Sequence, residues 1–236
     1  MPDTVRLSLA EIRDLSTEVF VANGMSQSNA EIVAGVVTSA EADGTHSHGL
    51  FRVPGYVSSM QNGRVDGKAV PEVTDAAPAL VAVDTKNGFS PPAVVAGRSL
   101  AIEKARSQGI AAMGLRNNGN LNALWWDVEQ FGEAGLIAIA MSTTRSLVAP
   151  WGGDKALFGT DPIAFACPRA GKPPMGFDFA TSAAARGEIM VAAREGHARV
   201  PAKHVESING VDLKLGGWAN NQRHELKKGR LSAEHI

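Results

Sequence analysis

From about residue 71 onward, short apolar runs alternate with segments of helical periodicity, and this alternation constrains the fold more than any other feature of the 236 residues. Candidate strands lie at Leu80–Asp84, Ile110–Leu115, Leu136–Met141, Ile163–Cys167 and Gly176–Phe179. Helical patterns lie between or after them, over about 91–107, 122–134 and 183–195. Strand–helix–strand alternation predicts an α/β fold whose sheet is at least partly parallel. The first 70 residues read differently, as helix. Ser8 with Glu11 forms a capping-box pattern, followed at helical spacing by Leu9, Ile12, Leu15, Val19 and Phe20, with Gly24 as the stop. Ser28 with Glu31 repeats the pattern ahead of Ile32, Val33, Val36 and Val37, and a third, shorter piece ends at Asn62-Gly63. Three segments follow: 1–70 helical, 71–196 α/β, and 197–236 a polar tail with few apolar anchors.

Composition excludes some classes of function. A net charge of −1 gives no overall electrostatic drive toward nucleic acid or an anionic membrane. The single cysteine, Cys167, permits no internal disulfide and suits a reducing cytosol. The N-terminal stretch carries Glu11, Arg13, Asp14 and Glu18 where a signal peptide needs an apolar core, so a cytoplasmic location is expected.

No Gly-x-Gly-x-x-Gly opens a helix after a predicted strand, so the ordinary dinucleotide fingerprint is absent. There is also no phosphate-binding Walker loop, no paired-cysteine metal motif and no nucleophile elbow. His46-x-His48 beside Asp43 has too few ligands nearby for zinc, and no metal is expected. The segment Asp43-Gly-Thr-His-Ser-His-Gly-Leu-Phe-Arg52 is the densest in chemistry, with two imidazoles, hydroxyls and a guanidinium. His48, Arg52 and Tyr56 are four apart and share a face if the segment is helical, although Pro54 fits only a first helical turn. Turn-rich loops at strand ends, Arg116–Asn122, Ala149–Gly153 and Phe158–Pro162, sit where ligands of α/β sheets collect, and each taken alone is also an ordinary tight turn.

Taken in order, several motifs resemble one family. They are His46-Ser-His-Gly-Leu-Phe-Arg-Val-Pro-Gly-Tyr56, Arg116-Asn117, Ala123-Leu-Trp-Trp-Asp-Val-Glu129, Val148-Ala-Pro-Trp-Gly-Gly153, Phe158-Gly-Thr-Asp-Pro-Ile-Ala164, Phe177-Asp-Phe-Ala-Thr-Ser182 and Ala192-Ala-Arg-Glu-Gly196. Together they resemble the malate/L-lactate dehydrogenase family that lacks the Rossmann fold. The Ala-Leu-Trp and Phe-Asp-Phe-Ala-Thr details look most like its Δ1-piperideine-2-carboxylate/Δ1-pyrroline-2-carboxylate reductases. The resemblance covers about residues 5–196.

It implies a mixed sheet with helices, an atypical nucleotide-binding topology, and a homodimer with its active site between domains and subunits. It also implies a cofactor, NADPH or NADH, and a small imino-acid substrate. In the reductase branch the residue matching His48 donates the proton, with Ser47 and Glu188 at the relay positions. Arg52, with Thr160, Arg186 and Gly187, matches the substrate-holding residues. Asn120, Leu121, Asn122, Ala123, Leu124, Asp178, Phe179 and Ala180 match the cofactor contacts. An imidazole near its ordinary pKa, about 6.5, is suited to donating a proton at neutral pH. Arginine suits the substrate carboxylate.

Three departures from the family pattern stand out. Asn120 occupies a position where family members carry a histidine, and asparagine cannot exchange a proton at neutral pH. Glu188 stands where the reductases have aspartate. Residues 197–236 do not resemble the family's continuation. The alternatives to imine reduction are therefore a 2-hydroxy-acid dehydrogenase, which Asn120 counts against, and a truncated remnant without turnover.

Overall fold

The computed structural model describes residues 5–120, 122–149, 155–182 and 190–191. Internal contacts divide the chain into two compact units, Met1–Asn122 and Ala123–Ile236.

The first unit opens with α1 (Leu9–Ala22), whose capping box forms as the sequence predicts. Ser8 Oγ accepts the Glu11 N–H at 3.2 Å, and the Glu11 carboxylate accepts the Ser8 N–H at 2.7 Å. Helix α2 (Gln27–Ala42) starts earlier than expected. Its cap is Ser26, whose hydroxyl accepts the Asn29 N–H. The Ser28–Glu31 box does not form, because the Glu31 carboxylate accepts instead from the Gln27 side chain at 2.7 Å. Two short 3-10 turns, His46–His48 and Leu50–Arg52, lead into α3 (Val53–Gln61), with Pro54 in its first turn.

The sheet of this unit is mixed. β1 (Glu72–Ala77) runs antiparallel to β2 (Leu80–Asp84), which runs parallel to β3 (Ala112–Arg116) across the crossover helix α4 (Ser90–Gln108). Strand β1 escaped the sequence reading because all six of its residues are exposed, so it carries no apolar alternation. Lys104 ties α4 to it, donating to Asp75 at 2.6 Å and to the Ala77 carbonyl at 2.8 Å. Gly97 lets α4 approach the sheet closely, since a Cβ there would stand 2.7 Å from both Val83 and Met113. Helix α4 ends at Gly109, whose φ of 82° suits the left-handed C-terminal position. The core joins Ile12, Phe20, Val33, Val37, Tyr56 and Phe89.

In the second unit, α5 (Leu124–Glu133) packs on an antiparallel sheet of β4 (Ala138–Met141), β5 (Ile163–Arg169) and β6 (Lys172–Phe179). The parallel pairing that alternation predicts is thus confined to β2 and β3 among the described strands. Small residues make the contact with α5. Ala138, Ala140, Ala164 and Ala166 face Leu124 and Val128, and a Cβ at Gly132 would stand 2.8 Å from Pro174. The helix expected over 183–195 lies outside the described residues but for Met190 and Val191. Among the described residues, no helix is long and apolar enough to cross a membrane.

Phe20 is fully buried at the centre of the first unit's core. Replacing it with alanine is expected to cost that unit about 3–5 kcal/mol. Urea denaturation followed by hydrogen exchange at α1 and α2 amides is the measurement, and a loss below about 1 kcal/mol would contradict this core assignment.

Candidate functional site

The segment after α2 folds into two 3-10 turns because Gly49 separates them, so His48 does not share a continuous α-helix with Arg52 and Tyr56. The three still come together. Ser47 Oγ stands 3.1 Å from His48 Nδ1. The Arg52 guanidinium lies near enough to bias the imidazole and hydrogen-bonds the Tyr56 hydroxyl. That hydroxyl donates to Asn122 Oδ1 at 2.6 Å, and the Asn122 amide donates to Ser90 Oγ at 3.4 Å. A polar chain thus runs from the His48 turn to the start of α4.

Two features give this chain its chemical character. First, burial and then the Arg52 cation push the His48 pKa down to about 4. The expectation of an imidazole near its ordinary value is therefore corrected: in the free protein His48 is neutral at pH 7. Second, the Arg52 Nε–H is buried without a hydrogen-bond partner among the described residues. An unsatisfied guanidinium donor costs free energy that a carboxylate ligand would recover.

The strand-end loops of the same unit lock onto one another. Asn87 N–H donates to the Asn117 carbonyl at 2.8 Å, and Gly119 N–H to the Gly88 carbonyl at 3.0 Å. The Thr85 hydroxyl donates to the carbonyls of Arg116 and Asn117. Asp84 anchors the cluster. Its carboxylate is held below the ordinary range by the Lys86 N–H, then the Asn117 amide, with Arg116 and Lys86 adding their charges. Asn120 contributes its carbonyl to the Ser90 N–H at 3.3 Å. Asn118 Oδ1 is buried without a partner.

In the second unit Ala123 and Leu124 are buried at the start of α5. The Asp178 carboxylate accepts the Trp125 N–H at 3.0 Å and the Leu124 N–H, capping a helix whose N-cap residue, Ala123, has no side chain for the task. Phe179 stacks on Phe177, which stacks on Phe165, with centroids 5.3 Å apart at each step. Ala180 is half-buried at the end of β6. The Thr160 N–H donates to Thr144 Oγ1 at 2.8 Å, and its carbonyl accepts the Thr181 N–H at 2.8 Å. Thr144, which the sequence reading missed, also donates its N–H to Asp161. A Cβ at Gly159 would collide with Thr144 Oγ1, so the Gly-Thr-Asp order is what the loop requires, and that triplet was the legible signal.

Leu121, Arg186, Gly187 and Glu188 lie outside the described residues. Among the described residues no three of His, Cys, Asp or Glu are arranged to hold a metal. His46, half of the His-x-His pair, is 2.6 Å from Glu41.

Residues 7–210 match a family profile described as malate/L-lactate dehydrogenase. Residues 192–236 match a second one, described as helicase associated domain, so the tail has a recognisable pattern of its own. A Delta(1)-pyrroline-2-carboxylate/Delta(1)-piperideine-2-carboxylate reductase of Pseudomonas syringae pv. tomato is 50% identical over 193 residues, covering 82% of this chain and 56% of the relative. A (2R)-3-sulfolactate dehydrogenase (NADP(+)) of Chromohalobacter salexigens is 37% identical over 190 residues, 80% of this chain and 57% of the relative. Among solved structures, the Delta1-piperideine-2-carboxylate reductase from Pseudomonas syringae superposes with a TM-score of 0.78, covering 82% of this chain and 58% of that one. The malate dehydrogenase of Pyrococcus horikoshii OT3, 30% identical, gives 0.73 over 78% of this chain and 53% of that one. The chain thus spans a little over half the length of the curated relatives it matches.

A buried carboxylate pair in the second unit was not legible in the sequence. Burial, and then the neighbouring Asp178 charge, raise the Asp127 pKa to about 8, while burial raises that of Asp178 to about 6. Asp127 Oδ1 has no hydrogen-bond partner among the described residues. A folded-state pKa above the unfolded one means the folded protein binds more protons, so stability falls as pH rises from about 4 to about 8. Asp127→Asn is expected to flatten this dependence, leaving stability at pH 4 nearly unchanged and raising it at pH 8 by roughly 1–3 kcal/mol. Thermal melts of both proteins across that range test it, and parallel pH profiles would refute it.

Proposed function

Because the chain belongs to the malate/L-lactate dehydrogenase family, we propose that it serves the NADPH-dependent reduction of small cyclic imino acids, with His48 as proton donor. The substrates in this reading are Δ1-piperideine-2-carboxylate, giving L-pipecolate, and Δ1-pyrroline-2-carboxylate, giving L-proline. The observation that carries it is the buried, unpartnered Arg52 Nε–H beside a His48 imidazole that is neutral at pH 7. An α-imino acid brings a carboxylate for the guanidinium and a nitrogen that must gain a proton.

The two events are coupled by electrostatics. Burial is the larger cause of the low His48 pKa and the Arg52 cation the smaller; a carboxylate on Arg52 offsets that cation, so substrate binding is expected to move the His48 pKa upward and favour a proton on the ring. Ser47, at 3.1 Å from Nδ1, orients the imidazole. Tyr56 and Asn122 hold Arg52 in place from behind. Thr160, Arg186 and Gly187 complete the substrate set in this reading, and Glu188 is the relay carboxylate.

The residues fit a nicotinamide cofactor. The buried, unpartnered Asn118 Oδ1 is an acceptor of the kind that a carboxamide N–H satisfies. Asn120–Leu124 and Asp178–Ala180 would hold the cofactor, and the reduced nicotinamide supplies the hydride to the imine carbon when bound. NADPH is favoured over NADH because one relative's name carries NADP(+). A cytoplasmic homodimer completes the proposal. The exposed Ile139 and Met141 of β4 are apolar surface that an assembly would cover. The hydroxy-acid alternative is disfavoured by Asn120, which has no proton to exchange.

In an NADPH-oxidation assay with cyclic imines, His48→Ala is expected to lower kcat by about 10²- to 10⁴-fold. Arg52→Lys is expected to act mainly on KM for the imine. Turnover of pyruvate or oxaloacetate with none of the imines would overturn the substrate assignment. Between pH 5 and 7, binding of L-proline is expected to take up a proton, seen as a calorimetric heat that varies with the buffer's ionisation enthalpy. That variation should vanish in His48→Ala.

A further inference from the structure

Glu41, in the last turn of α2, has no part in the reaction described above, yet its carboxylate brackets the Ser47-His48-Gly49 turn. One oxygen, Oε2, stands 2.6 Å from the Nδ1 of His46, the first residue of the 3-10 turn that holds His48. The other, Oε1, accepts the Leu50 N–H at 2.7 Å, just after Gly49. The Glu41 side chain is only 14% exposed, and its bond to Leu50 is partly sheltered from water, while His46 lies at the surface. Gly49 completes the arrangement. A Cβ there would overlap the end of the Glu41 side chain, so a larger residue would push the carboxylate off the Leu50 N–H. Neither 3-10 turn has a side-chain cap of its own, so the carboxylate supplies what the local sequence lacks.

We propose that Glu41 is a positioning residue which fixes the His48 imidazole for proton transfer by clamping both ends of its turn. The inference rests on the reading of His48 as proton donor. The clamp itself is testable without turnover. Arg52 is the charged group that faces His48, with the Ser47 hydroxyl beside its Nδ1, and the ring stays in that company only while the turn is held.

The test compares the full-length protein with Glu41→Ala, Glu41→Gln and Gly49→Ala. Far-UV circular dichroism and melting establish that each is folded. In Glu41→Ala the Leu50 amide is expected to exchange roughly 10- to 100-fold faster, the consequence of losing a charged acceptor. The His48 ring resonance, titrating near 4 in the parent, is expected to move toward the ordinary imidazole value of about 6.5. Imine kcat is expected to fall roughly 10- to 100-fold. Glu41→Gln keeps an acceptor for Leu50 and a partner for His46, and is expected to recover most of each signal. Gly49→Ala keeps the carboxylate but displaces it from the Leu50 N–H, and is expected to reproduce Glu41→Ala, so it decides the matter if Glu41→Ala does not fold. An unchanged Leu50 exchange rate and an unchanged His48 titration in a folded Glu41→Ala, or in Gly49→Ala, would overturn the clamp. If the parent chain turns over no imine, the function proposal fails while the exchange and titration results still judge the clamp.

Discussion

The Tyr56 ring is wedged between Phe20 and Phe89, at centroid distances of 6.2 and 5.6 Å, and the site chemistry of the first unit depends on that wedge. The ring belongs to the apolar core that joins α1, α2 and α3. Its hydroxyl emerges at the polar chain, accepting from Arg52 and donating to Asn122. One side chain thus converts core packing, which is rigid because interiors are densely filled, into the placement of a guanidinium. The same burial depresses His48 and leaves the Arg52 Nε–H unsatisfied. The structural core and the reactive chain are physically continuous here, so a change that loosens the aromatic cluster also disturbs the donor–acid pair.

Local backbone geometry is set by side chains that the secondary structure itself does not provide. Ala123 has no side-chain oxygen to cap α5, and Asp178, from a distant strand, does so. The 3-10 turn Leu50–Arg52 has no side-chain cap of its own, and Glu41 reaches its first N–H from α2. Thr144 fastens the Thr160–Asp161 loop in the same way. In each case a non-local polar residue satisfies backbone donors that would otherwise be lost on burial, and glycine at position 49 or 159 gives the room.

Much of the fold was legible in the pattern of residues. Capping chemistry placed α1, proline in the first turn and glycine at the end placed α4, and apolar runs placed β2 through β6 to within a few residues. The misses have particular physical causes. Strand β1 is held by pairing with β2 and by Lys104, neither of which leaves a periodic trace in Glu72–Ala77. The start of α2 was misplaced because two serines lie two residues apart and only the competition of Gln27 for Glu31 decides between them. The candidate site was found through ordered motifs, yet the partners of Asn122 and Asp178 were invisible, since Tyr56 and the α5 backbone are far from them in sequence.

The sequence by itself determined where the candidate chemistry lies: Ser47, His48 and Arg52 in one short segment, and a set of strand-end loops in a fixed order. Residue type and local spacing suffice for that, because proton donors, cations and turn formers act within a few residues. The protonation state of His48 was decided only by tertiary structure. An imidazole with an ordinary pKa in the chain becomes one near 4 once the fold removes its water and sets Arg52 beside it. Desolvation and charge proximity are properties of three-dimensional packing, and the linear order of residues does not contain them.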